Sequence, residues 1–181
     1  MKNFFLLILV FLSFESAFAQ GEQLKFMENI RPLCGKSFPG KVVYPEEGRE
    51  PFSSNPLTMI VAVCTGETVK IPFHVGSDRS RTWILSFTDQ GLQLKHDHRQ
   101  PDGSPDEVTN YGGLASVESD AWEMHFPADE ETIEMLPRAQ DNTWTMAIDR
   151  DAKIFSYILS VGGKKAVQID FDIDLGIHSG L

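Results

Sequence analysis

A chain of 181 residues with a formal net charge of −10 repels nucleic-acid phosphates and anionic lipid surfaces, which excludes nucleic acid as a partner class. Its length fits one domain with a core of its own. The acidity itself is read as a solubility feature.

The chain opens on the order of charge and apolarity that marks an export signal. Lys2 supplies the positive start, Phe4 to Phe14 is apolar except for Ser13, and Ala17-Phe18-Ala19 places small residues where a signal peptidase reads. Cleavage is expected before Gln20, giving a signal peptide over 1–19 and a single domain over 20–181, periplasmic or secreted. A buried N-terminal helix is the alternative. The apolar run is too short for a stable membrane anchor, and no later segment is apolar enough to span. No lipid anchor is expected, because no cysteine stands at the new N-terminus. The two cysteines are Cys34 and Cys64. In an oxidising compartment such a pair is a disulfide candidate, with two separate buried thiols as the alternative.

Leu24 to Arg31 suits a short helix ended before Pro32. Residues 35–56 are rich in Gly, Pro, Ser and charge, and read as a strand near Lys41 to Tyr44 followed by a long loop. From there the pattern is strand after strand: Leu57 to Cys64, Glu67 to Val75, Arg81 to Thr88 and Leu92 to His98, the last two joined by Asp89-Gln90-Gly91. A polar loop over 99–113 interrupts the series. Strands are expected again at Leu114 to Val117, Ala121 to Phe126, Thr132 to Leu136, Thr143 to Asp149 and Lys153 to Val161. Gly162-Gly163 then turns the chain into Lys165 to Ile173, where Val167, Ile169, Phe171 and Ile173 alternate with Gln168, Asp170, Asp172 and Asp174. One apolar and one wet face is the mark of an antiparallel sheet. Nine or ten strands with hairpin-length links predict an all-β meander, and closing it into an up-and-down barrel removes exposed edges.

Two resemblances follow from particular residues. The stretch Leu94-Lys95-His96-Asp97-His98-Arg99, with Asp102-Gly103, Asp106, Thr109 and Tyr111-Gly112-Gly113, resembles a signature of uncharacterised secreted bacterial proteins. Phe126-Pro127-Ala128-Asp129 and Gln168 to Leu175 look similar to the same group, which implies no activity. The opening Leu33-Cys34-Gly35-Lys36-Ser37-Phe38-Pro39-Gly40 resembles the start of calycin-type (lipocalin-like) barrels, with Phe38 where tryptophan is usual. That resemblance implies a barrel that takes a small apolar ligand or haem.

The sharpest chemical feature is the pair His96 and His98. Positions two apart on a strand share a face, and Leu92 and Leu94 mark that face as interior, with Lys95 and Asp97 outside. Two inward imidazoles can hold Zn²⁺, Fe²⁺ or Cu²⁺ if a third ligand arrives from His74, His125, Asp102, Asp106 or Asp129. Alternatively His96, Asp97, His98, Arg99, Asp102 and Asp106 form a hydrogen-bonded cluster that pins the loop, or contact a ligand directly. An inward Arg79 or Arg81 would clamp a carboxylate or phosphate, with a solvated surface position as the alternative. Trp83, Trp122, Trp144 and Tyr157 are pocket or core candidates, and Tyr111-Gly112-Gly113 is a lid or a turn. No serine elbow, phosphate loop, zinc-protease helix or CxxC motif occurs. The leading expectation is therefore a non-enzymatic barrel binding a small molecule at the end near 96–113. His96, His98, Arg99, Asp102, Asp106, Tyr111, Arg81 and Trp83 are its candidate contacts. A metal-dependent enzyme and a filled structural barrel are the rivals. No cofactor is named by the sequence.

Overall fold

The computed structural model describes residues 19–45 and 52–178. All but the last residue of the segment read as an export signal therefore lies outside the described residues.

Residues 19–30 form helix α1, which runs into a 3-10 turn at Arg31–Leu33. The expected helix is there but starts earlier, because Gln23, Phe26, Met27 and Ile30 keep a helical spacing that buries one face. Twelve strands follow among the described residues. They are β1 (Lys36–Tyr44), β2 (Leu57–Ile60), β3 (Val63–Cys64), β4 (Thr68–Val75), β5 (Asp78–Thr88), β6 (Gly91–His98), β7 (Tyr111–Leu114) and β8 (Glu123–Pro127), then β9 (Asn142–Asp149), β10 (Ile154–Val161), β11 (Lys164–Asp172) and β12 (Ile177–His178). Helix α2 (Glu130–Met135) sits between β8 and β9.

Ten of the strands run antiparallel in the order β7-β6-β5-β4-β2-β1-β11-β10-β9-β8, while β3 pairs with β4 and β12 with β1. Sequence neighbours are spatial neighbours except at β1–β11, where the two ends of the meander meet. Only the β7–β8 seam lacks a ladder. It is bridged by single bonds from Ser116 N–H to His125 O (2.8 Å) and from Asp129 N–H to Gly112 O (2.9 Å). The result is a nearly closed up-and-down barrel, compatible with a calycin-like fold.

Some expectations need correction. Leu57 to Cys64 is two strands, broken at Val61-Ala62. The first expected strand extends back to Lys36 through Pro39, which falls between the β12 and β11 pairings, where that side of β1 has no ladder partner. Thr132 to Met135 is helical, with Leu136 as the C-cap. The Asp129 carboxylate caps it by accepting from Thr132 N–H (2.9 Å), and this outweighs the β-branched Thr-Ile pair that suggested a strand. Tyr111 to Gly113 belongs to β7, not to a loop or lid.

The registers stack inward side chains in rows. Phe73, Arg81 and His98 share one row across β4, β5 and β6. Ile71, Trp83, His96 and Tyr111 share the next, and Val69, Leu85, Leu94 and Gly113 the third. From the first row to the third, polarity gives way to apolarity. The apolar end is sealed by α1. Gln23 Oε1 accepts from Leu92 N–H (3.0 Å), Asn29 Nδ2 donates to Ala121 O (2.7 Å), and Phe26 and Ile30 are fully buried in the core with Phe38, Phe155 and Phe171. Each such burial stabilises by roughly 1.5–3 kcal/mol. Cys34, just past the 3-10 turn, is disulfide-bonded to Cys64 on β3, with Cα atoms 6.2 Å apart.

Candidate ligand-binding site

At the end of the barrel opposite α1, the inward rows leave a cavity of about 320 Å³. Its polar pole is Arg81, His96, His98, Tyr111 and Tyr157; its apolar wall is Phe52, Phe73, Trp83, Leu159, Val167 and Ile169. Alternation along β5, β6, β10 and β11 turns these side chains inward. Lys95 faces outward to Asp129 and Glu131 (both 2.8 Å), and Asp97 pairs with Arg99 (3.0 Å). Burial opposes the charge of Lys95, but those two carboxylates outweigh it and raise its pKa. The outer face of β6 thereby clamps the start of α2.

The wall is built of parallel rings. Trp83 stacks on Tyr157 at 4.5 Å and on Phe73 at 4.9 Å, and Phe73 stacks in turn on Phe52 at 6.0 Å. Each pair is worth about 0.5–1.5 kcal/mol beyond area burial. His96 stacks on Tyr111 at 4.5 Å.

Hydrogen bonds fix the polar pole. His96 Nδ1 lies 3.1 Å from the Tyr111 carbonyl, which only accepts, so this nitrogen carries the proton. Nε2 is then the acceptor, and the Tyr157 hydroxyl donates to it at 2.8 Å. Burial drives the His96 pKa down to about 3, so the ring is neutral. His98 Nε2 and the Tyr111 hydroxyl are 3.1 Å apart. Burial, then the nearby Arg81 charge, lowers the His98 pKa as well. Burial pushes the Tyr111 phenol up to about 12 and that of Tyr157 well above its ordinary value. Arg81 is the one formal charge in the lining. It reaches Asp78 Oδ2 at 2.5 Å, and its guanidinium lies 5.7 Å from the Phe52 ring centroid. Burial alone would raise the Asp78 pKa, but bonds from Ser80 and Arg81 bring it to about 2.

Of the residues singled out from the sequence, Arg81, Trp83, His96, His98, Tyr111 and Tyr157 meet in this cavity. Arg99, Asp102 and Asp106 do not line it. The β6 strand ends at His98, and the loop beyond it satisfies itself: Asp102 accepts from Ser104 N–H (2.9 Å), Asp106 from Val108 N–H (3.2 Å), and Arg99 donates to Asp97. The expected cluster of histidines with acids is thus divided. The histidines bond to tyrosines inside the barrel, and the acids bond to their own loop outside. Arg79 is exposed and donates to Gly76 O. Trp144 is core, and Trp122 lies under Arg150 at 4.9 Å. Phe52, Phe73, Leu159, Val167 and Ile169 complete the site; the clean β11 alternation marked the last two as inward, but nothing local tied them to β6.

As a metal centre the site is poorly furnished. Both nitrogens of His96 are engaged, and among the described residues no group of three His, Cys, Asp or Glu side chains gathers. His125 instead bonds Thr145 (2.9 Å), and Asp129 caps α2.

No family model and no curated protein matches the chain. Neither comparison supports the resemblance of the 94–113 stretch to secreted bacterial proteins.

Proposed function

We propose that this is an exported, non-enzymatic protein that binds one small molecule inside the barrel. The carrying observation is the open-mouthed cavity of about 320 Å³, aromatic on one side and hydrogen-bonding on the other. Small-molecule sites have this character: mostly apolar walls, a few convergent polar groups and a mouth at a barrel end. A filled structural barrel would carry its apolar packing through to both ends, as this one does only at the α1 end. Export is supported by the signal-like opening of the sequence and by the Cys34–Cys64 disulfide, a bond of oxidising compartments.

The test is calorimetric titration with 2-naphthol, a neutral aromatic small enough for the space. One-to-one saturable binding is expected, weakened about tenfold or more in Val167→Phe, which fills the cavity from its wall. Absence of saturable binding in wild type, or unchanged binding in a folded Val167→Phe, refutes the cavity as a binding site. Intact-mass measurement of exported protein should give a chain beginning at Gln20; a retained Met1 refutes the signal peptide.

A further inference from the structure

The cavity belongs to a strongly acidic molecule, yet its lining has the opposite sign. The chain carries −10 in total, whereas the lining contains no Asp, Glu or Lys and one Arg. Arg81 sits in the outermost inward row, between Phe73 and His98, and so marks the mouth. Among the described residues its acidic partner is Asp78, three positions earlier on the same strand, which engages Nη1. A guanidinium has five N–H donors in a planar fork, and one carboxylate oxygen does not exhaust them. Beside it stand His98 and the Tyr111 hydroxyl, which bond to each other at 3.1 Å and lie within the same pole.

From this arrangement we infer that the ligand is a small aromatic carboxylate, its carboxylate on Arg81 and its ring against Phe73 and Trp83. The inference rests on the reading of the cavity as a binding site. The N–H donors that Asp78 leaves free on the Arg81 fork match the two oxygens of a carboxylate. A phosphate dianion would bring a further charge that no other lining cation answers. The volume of the site sets the body of the ligand. A cavity of about 150 Å³ holds benzene, so roughly twice that takes one or two fused rings with a carboxylate, not a long acyl chain. The lining is aromatic, but Phe52, Phe73, Trp83 and Tyr157 stack on one another, so a ligand ring meets the edges of Phe73 and Trp83.

The experiment compares 2-naphthoate with 2-naphthamide at pH 8 by calorimetry. The two share shape and differ in charge. Naphthoate should bind about tenfold or more tightly than the amide, because a charge-assisted bidentate pair replaces a neutral hydrogen bond. In Arg81→Gln the acid should lose about tenfold or more affinity relative to the amide, so that the preference vanishes. Should Arg81→Gln fail to fold, Arg81→Lys keeps the charge without the fork and should retain only part of the preference. Equal binding of acid and amide by wild type overturns the carboxylate and leaves the binding site standing. If neither probe nor 2-naphthol binds, the site itself is refuted.

Discussion

His96 and Tyr157 show how one residue couples strand register to the chemistry of the cavity. The imidazole is held between a carbonyl that only accepts and a phenol that donates, and burial keeps it neutral with a pKa of about 3. In the unfolded chain the same ring titrates at its ordinary 6.5. Between those values the unfolded state binds a proton that the folded state refuses, so stability rises with pH there and falls on acidification. His96 thus contributes fully above 6.5 and loses its contribution as pH falls toward 3. Between pH 6.5 and about pH 4.5 the loss is about 2–3 kcal/mol at 1.36 kcal/mol per pH unit. The lowered carboxylates Asp78 and Asp129 act chiefly below that window, whereas His98 and His74 are lowered too and act within it. His96→Gln, which does not titrate, should therefore flatten but not abolish the pH dependence of urea unfolding over this window. An unchanged slope would mean that His96 titrates normally in the folded protein. The inward direction of His96 and His98 was legible because Leu92 and Leu94 precede them at the same parity. Their tyrosine partners were not legible. Tyr157 is 61 residues from His96, on the far side of the barrel, and only closure brings it within 2.8 Å.

At the scale of elements, β7 departs furthest from what its residues suggest. Tyr-Gly-Gly after a polar loop has the composition of a turn or a lid, yet it is a strand whose glycines serve close approach, with Gly112 also at a positive φ of 156°. A Cβ on Gly113 would lie 1.9 Å from the Pro127 carbonyl oxygen on β8, and one on Gly112 would lie 1.9 Å from Leu94 O on β6. Gly112 is also held by the fully buried Thr132, whose hydroxyl accepts from its N–H (2.7 Å) and donates to its carbonyl (2.9 Å). The seam that nearly closes the barrel therefore depends on the absence of side chains, with α2 fastened over it. This also explains why α2 was misread: Thr132 is selected for its hydroxyl at the seam, not for helix or strand propensity. Gly113→Ala should cost about 3 kcal/mol, the upper end for overpacking, because the opposing atom is backbone and cannot rotate away. Gly66→Ala, where nothing lies within 4 Å, should change stability by less than about 0.5 kcal/mol. Equal denaturation midpoints for the two variants would show that β7 and β8 do not approach as described.

For the whole molecule, the hairpin-length links and period-two alternation made the meander and its closure legible, since ten strands in sequence order have few other ways to remove their edges. What no local pattern conveyed is that the two ends of the barrel differ. One end carries the aromatic and polar cavity. The other is plugged by α1 and stapled by the disulfide, because Cys34 follows the 3-10 turn after α1 and Cys64 pairs with Val69 in the apolar half of β4. The staple thus ties the plug to the barrel wall far from Arg81 and His98. Closing a loop of 30 residues stabilises by about 3–4 kcal/mol in the chain-entropy model. The double variant Cys34→Ala/Cys64→Ala should lose about that much in urea unfolding while binding 2-naphthol within about twofold of wild type. Hydrogen exchange should show where the loss falls. Amides of α1 should lose protection first, as a unit no longer pinned at its C-terminal end, and amides of β5 and β6 should keep theirs. A fall in ligand affinity that tracks the loss of the bridge would contradict this division, since it would mean that the plug and the cavity open together.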